Sequence, residues 1–216
     1  MKILDITFDL ETCDVSPSAA PMQLAALAWD RESTDDDPFL RTSDGSLMSF
    51  DERTDLACAV MDGFTFSQST IDFWSRQKPE VQAVVTDPSR PKLSPQQLYE
   101  RFFQWIADTK QAYGADYIVL WCQGMDFDIP MMKYAADKFK LKLPVNQYGY
   151  RDARTLAFEA AVKRGNDVDD LFHRPKAAPY EYLPPLPDAL MGYSHDALFD
   201  CIRTTWSTWH LIRRQD

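Results

Sequence analysis

Asp9 and Glu11 stand two positions apart in the stretch Phe-Asp-Leu-Glu-Thr, so in an extended strand both carboxylates point the same way. Two like charges on one face repel, and a hard divalent cation held between them removes that cost. Asp126 and Asp128 follow an apolar run at 116–122 and offer a second acidic pair; either could instead cap a helix. Near the C-terminus, His195, Asp196 and Asp200 supply a group that titrates near neutral pH beside two more carboxylates. On one helix His195 and Asp200 lie about 140° apart. A histidine preceding the helix escapes that constraint, whereas Asp196 and Asp200 would share a face. Helical phase leaves both aspartates open as partners of the strand pair. Clustered oxygen donors of this kind suit a hard divalent cation.

Elements to hold these groups can be read from the pattern. Residues 3–11 alternate, with Leu4, Ile6, Phe8 and Leu10 on one face and Asp5, Thr7, Asp9 and Glu11 on the other. Residues 22–30 form a second apolar run, predicting a hairpin, and a third strand is expected within 46–52. The stretch 30–46 is acidic and rich in turn residues, an exposed loop. Helices are expected at 69–77 and, most clearly, after Ser94. There Pro95 occupies the first helical position, Gln97 completes a capping box and Gly114 ends the helix. A buried strand is predicted at 116–122, a helix with Pro130 in its first turn, a short strand at 146–150 and a helix at 152–162. Residues 163–193, with prolines at 175, 179, 184, 185 and 187, read as a long irregular loop before a final helix capped by Ser194. The order describes one mixed α/β domain over 1–216.

Composition narrows the classes. The chain has 216 residues and a net charge of −10, from 33 acidic against 23 basic residues, which argues against non-specific coating of nucleic acid by a basic surface. Bound cations can reverse that field locally. Cys13, Cys58, Cys122 and Cys201 are scattered and the histidines number three, so zinc-finger spacing is absent. Reduced thiols and the lack of a membrane-length apolar run lead us to expect a cytoplasmic protein with no membrane partner.

Taken in order, the Asp-x-Glu of the first strand, Trp121–Asp128 (WCQGMDFD) and the His-x4-Asp of 195–200 resemble the DEDDh group of 3′–5′ exonucleases. The segments 70–77 (TIDFWSRQ), 150–156 (YRDARTL) and 194–200 (SHDALFD) are similar to its exonuclease A and bacterial exoribonuclease-like branch, over about residues 4–210. That resemblance implies a ribonuclease-H-like fold, a mixed five-stranded sheet flanked by helices. It implies Asp9, Glu11, Asp128 and Asp200 as ligands of two Mg²⁺ or Mn²⁺ ions, selecting Asp128 over Asp126 and Asp200 over Asp196, with His195 as general base. The implied substrate is the 3′ end of single-stranded DNA or RNA, and the implied product a nucleoside 5′-monophosphate. Candidate substrate contacts are Thr12, Trp74, Gln77 and Arg154, although Trp74 reads more readily as core and Arg154 equally as a structural ion pair. Asp126 and Phe73 depart from the residues usual there. Two other readings compete, a non-catalytic acidic module that mimics DNA and a phosphohydrolase of mononucleotides. A monomer and a homodimer are both compatible with the sequence.

Overall fold

The structure is a computed structural model that describes residues 1–174 and 178–213. Its centre is β1 (Ile3–Thr12), paired antiparallel with β2 (Pro21–Trp29) through Asp5↔Trp29 to Glu11↔Gln23, so the predicted hairpin forms. The third strand, β3 (Ser49–Thr54), starts three residues later than the predicted window and extends the antiparallel sheet. A two-residue edge strand, β4 (Lys92–Leu93), runs parallel to β3. On the other side of β1 lie β5 (Tyr117–Cys122) and β6 (Tyr150–Asp152), both parallel. The sheet order is β4-β3-β2-β1-β5-β6, six strands where five were expected. The addition is β4, too short to carry a hydrophobic alternation that a sequence could reveal, and the strand expected at 146–150 is displaced to β6 because Gln147–Gly149 form a 3-10 turn.

The helices in chain order are α1 (Leu56–Met61), α2 (Gln68–Ser75), α3 (Pro79–Thr86), α4 (Pro95–Tyr113), α5 (Asp128–Phe139), α6 (Ala153–Lys163), α7 (Val168–His173) and α8 (Ala197–Arg213). Helix α4 has the predicted start: the Ser94 hydroxyl accepts from Gln97 N–H, the Gln97 side chain accepts from Ser94 N–H, and Gly114 closes the helix at φ 67°. Its apolar face, with Leu98, Phe102 and Ile106, packs on Leu4, Ile6, Phe8 and Leu10 of β1. On the opposite face of the sheet α8 covers β1 and β2, enclosing Ala25, Leu27, Trp29, Val119 and Trp121 with Ile202, Trp206 and Trp209. Both faces of β1 are therefore buried, including the face that alternation marked as polar.

Two further expectations need correction. Within 163–193, residues 168–173 form α7, and short 3-10 turns occupy 178–180 and 188–190, so the prolines punctuate short helices rather than abolish them. Pro175 of that segment, like Arg214 at the predicted end of the last helix, lies outside the described residues. Ser194 does not cap α8. Asp196 does, accepting from Leu198 N–H at 3.3 Å while its own carbonyl accepts from Asp200 N–H at 2.9 Å. The 30–46 segment is a loop, but it buries Phe39 and bridges Trp29 to Phe39 and Arg41 to Leu47. No helix of the described residues is long and apolar enough to cross a membrane.

Candidate active site

Asp9 and Glu11 sit at the carboxyl end of the central strand, where β1 outruns its parallel neighbour: the β1–β5 register ends at Thr7↔Trp121. Crevices of open α/β sheets form at such strand ends. The chain leaving β5 turns at once through Gly124, whose φ of 114° excludes most residues and whose missing Cβ leaves room for the Arg154 guanidinium; a Cβ there would stand 2.5 Å from Arg154 Nη2. This turn delivers Asp128 to the first position of α5. Phe127 occupies the cap position without a side-chain bond, so neither aspartate caps the helix. Asp128 is 2% exposed and Asp126 points outward, 86% exposed, with Arg154 Nη1 at 3.9 Å.

Helix α8 brings the last group. It is pinned to the sheet by Thr205 Oγ1 donating to Thr7 Oγ1 at 2.7 Å and by the Cys201 thiol donating to Ala25 O at 3.5 Å. One turn closer to its N-terminus Asp200 faces the strand end. His195 precedes the helix, as the escape from helical phase required, and takes a left-handed backbone with φ 68°. Its N–H donates to Asp200 Oδ2 at 3.2 Å. Its ring stands edge-to-face against Phe73 at 5.1 Å and Trp74 at 6.2 Å. One donor atom each from Glu11, His195 and Asp200 lie within 4.8 Å of one another.

Asp9, Glu11, His195 and Asp200 line a cleft of about 770 Å³ together with Thr12, Arg154 and Arg203, and Asp128 is buried outside that lining. Its electrostatics are strongly uncompensated. Burial pushes the Glu11 carboxyl well above the usual range, and the charges of Asp9, Asp200, Asp128 and Asp196 push it the same way. Asp128 is raised well above its usual value by burial and then by Asp9; the N–H groups of Leu10 and of Asp128 itself, and Arg154, oppose this only in part. Asp128 Oδ1 is buried without a hydrogen-bond partner among the described residues. A native chain rarely leaves such an atom unpaired, and an unpaired carboxylate oxygen aimed among other carboxylates fits a hard cation. Arg203 Nη2 stands 3.1 Å from Asp200 Oδ1, an ion pair lacking hydrogen-bond alignment.

The other substrate candidates divide. Thr12 lines the cleft, its hydroxyl donating to Asp14 O at 2.6 Å. Trp74 also touches the cleft, but it is only 9% exposed and its indole N–H donates to Thr12 O at 2.9 Å, so it serves as a wall. The neighbouring Phe73, 37% exposed, has the open ring face. Gln77 is outside the cleft lining, and its amide donates to Phe73 O at 3.3 Å at the end of α2. Arg154 lines the cleft with Nη2 donating to Gln123 O at 3.0 Å. Sequence reasoning missed Arg203, although its position three residues after Asp200 on a helix puts it on the same face. It missed Gln23 too, a buried amide on β2 that no local pattern distinguishes from a surface glutamine.

The sequence matches, over residues 5–208, the family described as the 3′-5′ exoribonuclease Rv2179c-like domain. No curated protein matches it. Among solved structures it is similar to cell-death related nuclease 4 (CRN-4), with a TM-score of 0.59 and 16% identity over 98% of this chain and 64% of that one. The chain thus spans less than two thirds of that protein's length. It is also similar to the nuclease domain of 3′hExo, a DEDDh family member bound to rAMP, with a TM-score of 0.51 and 13% identity over 99% and 94% of the two chains. At these identities the likeness establishes the ribonuclease-H-like fold. The match over nearly the whole sequence goes further: the chain belongs to the Rv2179c-like family of 3′-5′ exoribonuclease domains.

Proposed function

We propose that the protein is a divalent-metal-dependent exonuclease that removes nucleoside 5′-monophosphates from the 3′ ends of single-stranded nucleic acid. RNA is favoured over DNA by the family's description as exoribonuclease. The observation that carries the reading is the convergence at one strand end of Glu11, Asp200 and His195, with the buried Asp128 repelled by Asp9 beside them. A protein has no structural use for carboxylates so poorly compensated, and a cation site does.

Asp9, Glu11, Asp128 and Asp200 would hold two Mg²⁺ or Mn²⁺ ions. Bound there, the ions would supply Lewis-acid stabilisation of the attacking and leaving oxygens of the phosphodiester. The chain's own residues do the rest. His195 accepts the proton of the attacking water at a ring nitrogen, a role for which an imidazole is suited near neutral pH. Its ring is held by Phe73 and Trp74, and its backbone by Asp200, so the nitrogen is aimed before substrate arrives. Arg154 and Arg203 border the cleft as cations within an otherwise acidic site and serve the phosphates on either side of the scissile bond. The exposed face of Phe73 offers a stacking surface for the terminal base.

The test is digestion of 5′-labelled single-stranded RNA and DNA of equal sequence with Mg²⁺ or Mn²⁺, beside Asp9→Asn. A descending ladder that requires metal and Asp9, faster on RNA, is expected. A folded protein giving no ladder on either strand would sink the proposal, and equal cleavage of mononucleotides would redirect it to small phosphates.

A further inference from the structure

Gln23 is fully buried on β2, directly opposite Glu11 in the β1–β2 register, and its side-chain amide bridges the sheet to the start of α8. Its Nε2 donates to Asp51 Oδ1 at 2.9 Å and to Asp196 Oδ1 at 2.8 Å. Its Oε1 accepts from Ala197 N–H at 3.2 Å. All three polar sites of the amide face the partners its chemistry demands: two carboxylates for the two N–H groups and a backbone donor for the carbonyl. Behind it, Asp51 on β3 is held by Arg53, itself 2% exposed, and by Arg90 at 2.6 Å. The anchor is thus rigid on its sheet side.

What the amide grips is the cap of α8 and the first N–H of that helix. His195 is the residue before this gripped pair, and Asp200 is the residue whose N–H bonds the carbonyl of Asp196. Thr205 and Cys201 tie α8 to the sheet further along, but the end of a helix can still turn or shift locally, and either motion would carry His195 and Asp200 away from Glu11. Bonds from one fixed amide to both a side chain and a backbone atom of the first turn block both motions. The positive φ at His195 adds to the requirement, because a side-chain-bearing residue keeps that conformation only where its surroundings impose it.

We propose that Gln23 is a positioning residue of the active site, which sets the placement of His195 by clamping the N-terminus of α8. The proposal rests on the reading above in which His195 is the general base. Gln23→Met keeps the volume and loses all three bonds; Gln23→Glu replaces two donors by a third carboxylate.

The experiment is a double-mutant cycle on Mn²⁺-dependent cleavage of a short single-stranded RNA, paired with NMR of the histidine ring signals. Gln23→Met is expected to lower kcat about 10- to 100-fold with KM within about threefold, the range for residues that orient an active-site ligand. Adding Gln23→Met to His195→Ala should cost little more than His195→Ala alone, because both act through one group. The chain has three histidines, so the His195 signal is assigned by its loss in His195→Ala. In Gln23→Met it should move, while His210 near the far end of α8 stays. Full kcat in folded Gln23→Met, an unmoved His195 signal, or losses that simply multiply would each overturn the proposal. Should Gln23→Met not fold, Gln23→Asn keeps an amide too short to span Asp51 and Asp196, and the same three outcomes apply. If His195→Ala itself keeps its kcat, the base assignment fails; the His195 signal still reports separately whether Gln23 places the ring.

Discussion

One face of β1 carries two acidic regions about 20 Å apart that differ only in what surrounds them. At the amino end, Asp5 is wholly buried, and Arg31 binds it through Nη2 at 2.6 Å and Nε at 2.8 Å, with Trp121 Nε1 donating at 2.7 Å. Thr7 beside it accepts from Trp29 Nε1 at 3.0 Å. At the carboxyl end, Glu11 meets Asp9, Asp200, Asp128 and Asp196, all of its own sign. Both carboxyls are raised by burial, but Asp5 is drawn back by Arg31 and Trp121 whereas the four carboxylates around Glu11 push it further. Burial of charge alone does not mark a functional site. Burial without compensation does.

The largest expected difference between the two regions is in activity. Asp128→Asn keeps the shape of the side chain and removes one proposed ion ligand. It should lower kcat by roughly 10²- to 10³-fold or more, as loss of a group stabilising transition-state charge does. Asp5→Asn, measured per folded molecule, should stay within several-fold of the parent. Comparable losses in both variants would erase the distinction between them. Stability comes next. Asp5→Ala leaves a half-buried guanidinium and an indole N–H without their acceptor, a loss of about 3 kcal/mol in urea unfolding. A loss under about 1 kcal/mol would mean that water replaces the carboxylate.

How much of this contrast a sequence carries depends on distance along the chain. The alternation of 3–11 places Asp5, Thr7, Asp9 and Glu11 on one side, and the Ser94–Gln97 box with Gly114 delimits α4, because these signals act between near neighbours. The half-exposed strand that alternation ordinarily indicates is wrong here because α8, nearly two hundred residues away, covers the polar side through Thr205 on Thr7. Arg31, 26 residues on and beyond the end of β2, is likewise not marked by any local pattern as the partner of Asp5. His195 and Asp200 could be picked out, but not how they converge: that follows from a left-handed residue and from Gln23 holding Asp196, neither of which has a local signature. Asp196 was the harder ambiguity, since as a cap it leaves the helical face that i and i+4 spacing assigned to it.

A smaller effect sharpens the comparison by reversing its sign. In metal-free protein, Glu11→Gln removes one of several mutually repelling carboxylates and should stabilise the fold by roughly 0.5–2 kcal/mol, the usual gain from relieving a strained functional site. With Mg²⁺ present the parent should regain that difference, because ions bound by the native state stabilise it by mass action. Unfolding in EDTA and in Mg²⁺ reads both. If Glu11→Gln is destabilising without metal, as Asp5→Ala is, the two ends of the strand are alike and the cluster is structural.

The pH dependence separates the regions most finely. Glu11 and Asp128 have folded-state values well above their ordinary ones, so the folded chain binds their protons more tightly than the unfolded chain does. Stability from that source is fully present below the unfolded carboxylate range, about pH 4, and is lost as pH rises through the raised folded values. Metal-free parent protein should therefore gain stability as pH falls from neutral toward about 5. Below about pH 4 the partly exposed Asp14, Asp87 and Asp170, whose values are lowered by hydrogen bonds, work in the opposite sense. Asp5 is raised as well, so it contributes a slope of the same sign, but one restrained by Arg31. Glu11→Gln should accordingly flatten the gain on acidification more than Asp5→Asn does. Equal slopes in the two variants would mean that the repulsion at the strand's carboxyl end adds nothing to the cost of burial, and the contrast along β1 would be one of hydrogen bonding alone.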